Sequence, residues 1–235
     1  DYEKCFPFAV AMEMIHNFSL IHDDLPGIDN DDFRHGKPTN HKQFNEATAI
    51  LAGDALFNLG YKIISEDIKN TKNQEELRNK ISIFQEFTIS VGKMIAGEYV
   101  DTEFEGKKIN NEELKYIHTH KTGELIKLPV RMGAILANAT KKELNAVTNY
   151  AEKIGLAFQI KDDILSEEGD EKILGKPVGN DKEMEKCTYV SQYGLEGAKE
   201  QLNKITKEAK EELELFGEKA NFLKKLAEYI ANRNK

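Results

Sequence analysis

The chain holds only two cysteines, Cys5 and Cys187, far apart in its 235 residues. They are too few and too scattered for a disulfide framework or a thiolate metal site, which reads as a product of a reducing cytoplasm. No apolar run approaches the roughly 20 residues that span a bilayer, and no charged-then-apolar leader opens the chain. Positive charge is in the minority: 33 Lys and Arg stand against 41 Asp and Glu, a formal net charge of −8. Such a surface repels a phosphate backbone and argues against a nucleic-acid partner. The period-two alternation of a half-buried strand is scarce, and no Pro/Ser-rich joint divides the chain.

What is present is apolar recurrence at three and four spacing along nearly the whole length. It predicts an all-α fold, a single-domain helical bundle over 1–235, with helices near 6–24, 44–66, 73–104, 111–137, 141–165, 187–213 and 217–233. Asn110 with Glu113 has the form of a capping box at the start of the fourth. Polar, glycine-containing segments at 25–43 and 166–186 are expected to gather at one end of the bundle. The chain begins at Asp1 and enters an apolar run almost at once, so preceding helices are expected to be missing.

Two aspartate pairs, Asp23-Asp24 and Asp162-Asp163, each follow an apolar helical run and precede a breaker, Pro26-Gly27 or Gly169. That places carboxylates near helix C-termini, where the macrodipole is already negative, and calls for a compensating cation. Around the first pair, Asp29, Asp31 and Asp32 add further carboxylates, and Arg34, His35 and Lys37 follow directly. Magnesium is usually held by one or two carboxylates plus substrate phosphates, and Arg and Lys suit the remaining phosphate oxygens. An isolated Asp-Asp pair is ordinarily a solvated loop. Two pairs, each with a breaker and a following Lys-containing glycine loop, point to metal and phosphate chemistry instead.

The run Glu13-Met14-Ile15-His16-Asn17-Phe18-Ser19-Leu20-Ile21-His22-Asp23-Asp24-Leu25-Pro26-Gly27-Ile28-Asp29 resembles the first aspartate-rich motif of the bacterial-type trans-isoprenyl diphosphate synthases. Arg34-His35-Gly36-Lys37-Pro38-Thr39, Ala52-Gly53-Asp54, Lys121-Thr122-Gly123, Phe158-Gln159-Ile160-Lys161-Asp162-Asp163 and Gly175-Lys176-Pro177 follow in the order and spacing of that family. The likeness is nearest to farnesyl diphosphate synthases. It implies an all-helical fold around a central active-site cavity, three Mg²⁺ ions, isopentenyl diphosphate and an allylic diphosphate as substrates, and a homodimer. It also implies roles: Asp23, Asp24, Asp29, Asp162 and Asp163 as metal ligands; Arg34, Lys121 and Lys176 on the allylic diphosphate; Thr122 and Gln159 near the reacting carbons. His16 and His35 would serve isopentenyl diphosphate. His16 lies two helical turns before Asp23, about 10 Å along the axis. Taken alone, His16 reads as a core histidine, Lys121 and Thr122 as helix surface, and Gln159 as a buried amide. Phe18 and Ser19, one turn before Asp23, are expected to face the cavity and set product length, with an aromatic ring stopping growth at fifteen carbons; the ordinary alternative is a core phenylalanine.

The chain departs from the family's pattern at Ser166, where a third Asp is usual, and at His35, where a second Arg is usual. Glu98 stands where many relatives have Gln, and Glu124 where a small residue is common. The basic segment that relatives carry ahead of Asp1 is absent from the sequence. The competing expectations are a geranylgeranyl diphosphate synthase and a non-catalytic subunit or inactive paralogue; a terpene cyclase shares the metal logic but has no need of the second-diphosphate residues.

Overall fold

The computed structural model of the chain describes residues 2–107, 109–168 and 188–234. The described residues are overwhelmingly helical, as the periodicity predicts. In order they form α1 (Tyr2–Asp23), a short hairpin of β1 (Phe33–Arg34) and β2 (Lys37–Pro38), α2 (Asn40–Gln43), α3 (Glu46–Asn70) and α4 (Gln74–Phe104). There follow α5 (Asn111–Ile117), a π-helical turn (His118–Gly123), α6 (Glu124–Leu136), α7 (Lys141–Glu168), α8 (Tyr189–Glu211), a 3₁₀ segment (Glu214–Ala220) and α9 (Asn221–Asn232). No helix is long and apolar enough among the described residues to cross a membrane.

The chain divides into two compact units, one of residues 1–88 with 135–138 and the other of residues 89–134 with 139–235. In the first, α1 buries Phe8, Ala11, Met12, Ile15 and Phe18, a three-four repeat that gives one apolar face. That face lies antiparallel on α3, where the small residues Ala49, Gly53 and Gly60 are buried. The fit is close: a Cβ on Gly60 would meet the Ala11 carbonyl oxygen at 3.2 Å. Phe18, Phe57, Tyr61 and Phe87 then run as an aromatic ladder with ring centroids 5.0, 4.9 and 5.1 Å apart. Offset and edge contacts of this kind add about 1 kcal/mol each beyond area burial.

The second unit is built on α7. Tyr150, Ala151 and Ile154 pack with Ala209, Leu213, Ala220 and Ala227, while Ala157, Ile160 and Ile164 pack with Ala198 and Leu202 of α8. The Asn110 capping box forms as read from the sequence: Asn110 accepts from the Glu113 backbone at 3.0 Å, and Glu113 accepts from the Asn110 N–H at 2.7 Å. The helix expected over 111–137 is interrupted by the π turn. There the chain is confined from two sides, since a Cβ on Gly97 of α4 would lie 2.3 Å from the Lys121 nitrogen and one on Gly155 of α7 would lie 3.2 Å from the Gly123 Cα. Such single π turns are concentrated at functional sites.

Asp23 is the last residue of α1, but α7 continues past Asp162 and Asp163 through the buried Ile164 and Leu165 to Glu168. Dipole effects fall off within the last turn, so the unfavourable C-terminal placement applies to the first pair and not to the second.

Candidate active site

The first aspartate segment lies wholly in the first unit. Where α1 ends, the chain folds back so that the Asp29 N–H donates to the Asp23 carbonyl at 2.9 Å and the Asn30 N–H to the Leu25 carbonyl at 3.1 Å. Asn30 takes up a left-handed φ of 51°, which Asn tolerates better than most residues. This closes the helix end and brings the Asp29 backbone to Asp23. The following hairpin turns on His35 (φ 50°) and Gly36 (φ 73°), both left-handed, as a two-residue hairpin loop whose twist matches its strands requires. His35, expected on isopentenyl diphosphate, is therefore the first turn residue of this hairpin and is exposed.

The hairpin carries Arg34 onto the aspartates. Its Nε donates to Asp24 Oδ1 at 2.8 Å and its Nη2 to Asp23 Oδ2 at 3.2 Å, and Nη2 stands 2.5 Å from Asp24 Oδ1. Asp24 is only 3% exposed, so the guanidinium is the counter-charge that lets a carboxylate sit buried beyond a helix C-terminus. Burial works against the Arg34 charge, but the hydrogen bond to Asp24 and the charges of Asp24, Asp23 and Asp31 leave its pKa raised. The cation that the sequence demanded at this helix end is present as an arginine.

Of the other residues singled out on α1, His16 is exposed rather than a core histidine, and Ser19 Oγ donates to the His16 carbonyl at 2.9 Å. Phe18 is buried, edge-on to Phe57 and to His22. His22 itself went unremarked in the sequence: its Nε2 is 3.0 Å from the Ile50 carbonyl oxygen and fills the space that a Cβ on Gly53 would need.

The second aspartate segment lies wholly in the second unit, as do Lys121, Thr122 and Gln159. Asp163, 9% exposed, accepts from the Tyr189 N–H at 2.7 Å, a first-turn donor of α8 where the macrodipole favours an anion. Asp162 is more open and accepts from Arg233 Nη2 at 2.5 Å. Gln159 is half-buried on the same helix. On the π turn, Lys121 Nζ donates to Glu98 Oε1 at 3.0 Å and to Asp101 Oδ2 at 2.8 Å, both on α4, with Thr122 half-buried beside it. His118 opens the turn, stacked on the Tyr189 ring at 5.8 Å. Its Nδ1 is buried and has no hydrogen-bond partner among the described residues, and burial, opposed by Asp101 and aided by Lys121, pushes its pKa down to about 4, so it is neutral near pH 7. Lys176 and the glycine loop around it lie outside the described residues.

Glu124, one of the departures noted in the sequence, is 4% exposed and accepts from Ser90 Oγ at 2.8 Å, Lys127 Nζ at 2.7 Å and Lys93 Nζ at 3.2 Å. Burial pushes its pKa up, but these hydrogen bonds and the two lysine charges outweigh that and hold it below the ordinary carboxylate range. An isolated spacing rule could not have found this cluster, because its members come from two different helices.

As a donor set, Asp23 and Asp24 offer adjacent hard oxygens, and Asp162 offers one more in its own unit. Among the described residues no group of three or more His, Cys, Asp and Glu side chains is assembled to hold a metal ion. The adjacent carboxylates of Asp23 and Asp24 fit the magnesium mode in which one or two carboxylates share the ion with substrate phosphates.

The chain is 46% identical over 198 residues to the farnesyl diphosphate synthase of Geobacillus stearothermophilus, covering 83% of this chain and 66% of that one. It is 43% identical over 233 residues to the geranylgeranyl diphosphate synthase of Cyanophora paradoxa, covering 99% and 77%. The crystal structure of a Helicobacter pylori geranyltransferase complexed with magnesium and isoprenyl diphosphate superposes with a TM-score of 0.81 at 30% identity, over 97% of this chain and 73% of that one. The polyprenyl synthetase family model matches residues 1–225 without a break, through both aspartate segments and the π turn between them, and on that ground the chain belongs to the polyprenyl synthetase family.

Proposed function

We propose that the chain is a trans-prenyltransferase that joins isopentenyl diphosphate to dimethylallyl or geranyl diphosphate and releases farnesyl diphosphate. The observation that carries this reading is the Asp23–Asp24–Arg34 group, in which a buried Asp24 and a half-buried Asp23 share one guanidinium at a closed helix end. In the reaction the allylic C–O bond breaks and diphosphate leaves with the electron pair. The isopentenyl double bond then attacks the allylic carbon, and loss of a proton from the isopentenyl unit restores an alkene. Magnesium, three ions per site in this reading, offsets the charge that develops on the leaving diphosphate.

Asp23, Asp24, Asp29, Asp162 and Asp163 would hold the metal. Arg34, Lys121 and Lys176 would bind the allylic diphosphate, His16 and His35 the isopentenyl diphosphate, and Thr122 and Gln159 would line the path of the reacting carbons. The ion pairs of Arg34 with Asp23 and Asp24, and of Lys121 with Glu98 and Asp101, support these roles: each cation is already fixed by carboxylates and needs only to exchange part of its partnership for phosphate oxygens. Phe18 and Ser19 would set the product length. One continuous domain is part of the same reading, supported by the family match over residues 1–225, as are a cytoplasmic location and a homodimer that covers Leu51 of α3 and Ile81 of α4, both exposed.

The test is incubation with geranyl diphosphate, labelled isopentenyl diphosphate and Mg²⁺, with and without EDTA, followed by product sizing. A metal-dependent fifteen-carbon product is expected. A twenty-carbon product would establish the geranylgeranyl reading, which the Cyanophora paradoxa relative favours. No product from this chain, and none after the segment that relatives carry ahead of Asp1 is restored, would leave a non-catalytic member of the family.

A further inference from the structure

Arg233 stands directly after the last residue of α9 and leaves the helix in an extended conformation, φ −61° and ψ 152°. Its side chain turns back onto α7 and, among the described residues, contacts Phe158 and Asp162 within one helical turn. Nη2 donates to Asp162 Oδ1 at 2.5 Å and to the Phe158 carbonyl at 3.2 Å, and the guanidinium carbon lies 4.0 Å above the centre of the Phe158 ring. The Arg233 side chain is 12% exposed and that of Asp162 43%. The arginine is thus seated in a fitted place while the carboxylate is the more exposed of the two. Stacking on an aromatic face combined with a directed hydrogen bond is a geometry that arginine makes and lysine does not.

From this geometry we propose that Arg233 is a positioning residue of the second aspartate segment, a counter-ion that holds Asp162 until a divalent cation takes its place there. The proposal rests on the reading of Asp162 as a metal ligand. A cation that ligates the Asp162 carboxylate meets the guanidinium charge at hydrogen-bond distance, and two cations at one carboxylate repel. Cation binding therefore weakens the Arg233 contact. Because α9 packs on α7, that contact is also what fixes the end of α9 to the Phe158–Asp162 turn, so its loss loosens the residues around 229–234. Coupling is reciprocal: what loosens the arginine must tighten the metal. The first segment is arranged alike, with Arg34 on Asp23 and Asp24, but Arg34 stands on a hairpin next to its partners, whereas Arg233 ties in a different helix.

The experiment compares the chain with R233A, R233Q, R233K and D162N, using magnesium with inorganic diphosphate as the probe. Calorimetry reads magnesium affinity, and amide hydrogen exchange reads peptides covering 225–234. The expected result is faster exchange in 225–234 when the wild type is loaded, with magnesium affinity raised about fivefold or more in R233A and R233Q. R233K, which keeps the charge but not the stacked fork, is expected to lie between wild type and R233A. Circular dichroism identifies any variant that fails to fold; R233Q, which keeps two of the three stem methylenes and a polar end without the charge, then carries the comparison. Unchanged or slower exchange on loading, or magnesium affinity unchanged or weakened in R233A and R233Q, overturns the proposal while D162N still binds magnesium less well than wild type. Wild-type affinity in D162N overturns the ligand reading and this proposal with it.

Discussion

Gly97 lies directly against the backbone of Lys121: a Cβ at position 97 would stand 2.3 Å from the Lys121 nitrogen and 2.8 Å from the carbonyl carbon of His120. Backbone, unlike the end of a flexible side chain, cannot step aside cheaply. Gly97→Ala is expected to cost about 3 kcal/mol and to weaken binding of inorganic diphosphate by displacing Lys121. Gly92→Ala on the same helix meets nothing within 4 Å and should be neutral or stabilising by a few tenths of a kcal/mol to about 1 kcal/mol. Urea unfolding of both variants checks the contrast, and equal costs would rule out close packing as the reason for Gly97.

Lys121 is shared by Glu98 and Asp101, so a phosphate ligand in the proposed site would compete with two carboxylates for one ammonium. Glu98→Gln removes one of those charges and keeps a hydrogen-bond acceptor. Diphosphate affinity should rise severalfold in Glu98→Gln and fall in Lys121→Ala. Weaker binding in Glu98→Gln would mean that Glu98 orients the lysine more than it competes for it.

His118 gives the stability a pH dependence of known sign. Its pKa is about 4 in the fold and about 6.5 in an unfolded chain, so between those values the unfolded state carries the extra proton. Stability therefore rises with pH across that window, and acidification from 6.5 to 4 removes up to roughly 3 kcal/mol. Glu124, held below the ordinary range, adds its own loss only as pH falls further, below about 4.5. His118→Phe should flatten the slope between pH 6.5 and 4.5 in urea titrations, and an unaltered slope would assign it to other groups.

Phe18 sits at the head of the aromatic ladder with Phe57, Tyr61 and Phe87. Phe18→Ala should lower stability by about 3 kcal/mol and, if the ring also stops chain growth, shift the product beyond fifteen carbons. A destabilised variant that still makes only the fifteen-carbon product would reduce Phe18 to a core residue.

Most helices were legible because their apolar faces repeat locally. The expected 73–104 became Gln74–Phe104, and the Asn110–Glu113 capping box formed as written, since each depends on residues within a turn or two of one another. The hairpin at 33–38 was not anticipated, because its loop is His35-Gly36 rather than one of the common Asn-Gly pairs. The π turn was invisible for a different reason: nothing in the run His118–Gly123 forbids an α-helix, and the crowding by Gly97 and Gly155 comes from other helices.

The amino-acid sequence by itself determined the helical class and the two clusters of hard oxygens, because periodicity and caps act over a few residues. It also demanded a cation at the end of α1. Only the tertiary structure decided which group answers that demand. Arg34 is brought to Asp23 and Asp24 by the turn at Asn30 and the hairpin at His35-Gly36, all three left-handed, and Arg233 reaches Asp162 across a separation of 71 residues. The same holds for the neutrality of His118 and the charge of Glu124: a side chain's type names the groups it can offer, but burial and the charges packed against it fix the state in which they are offered.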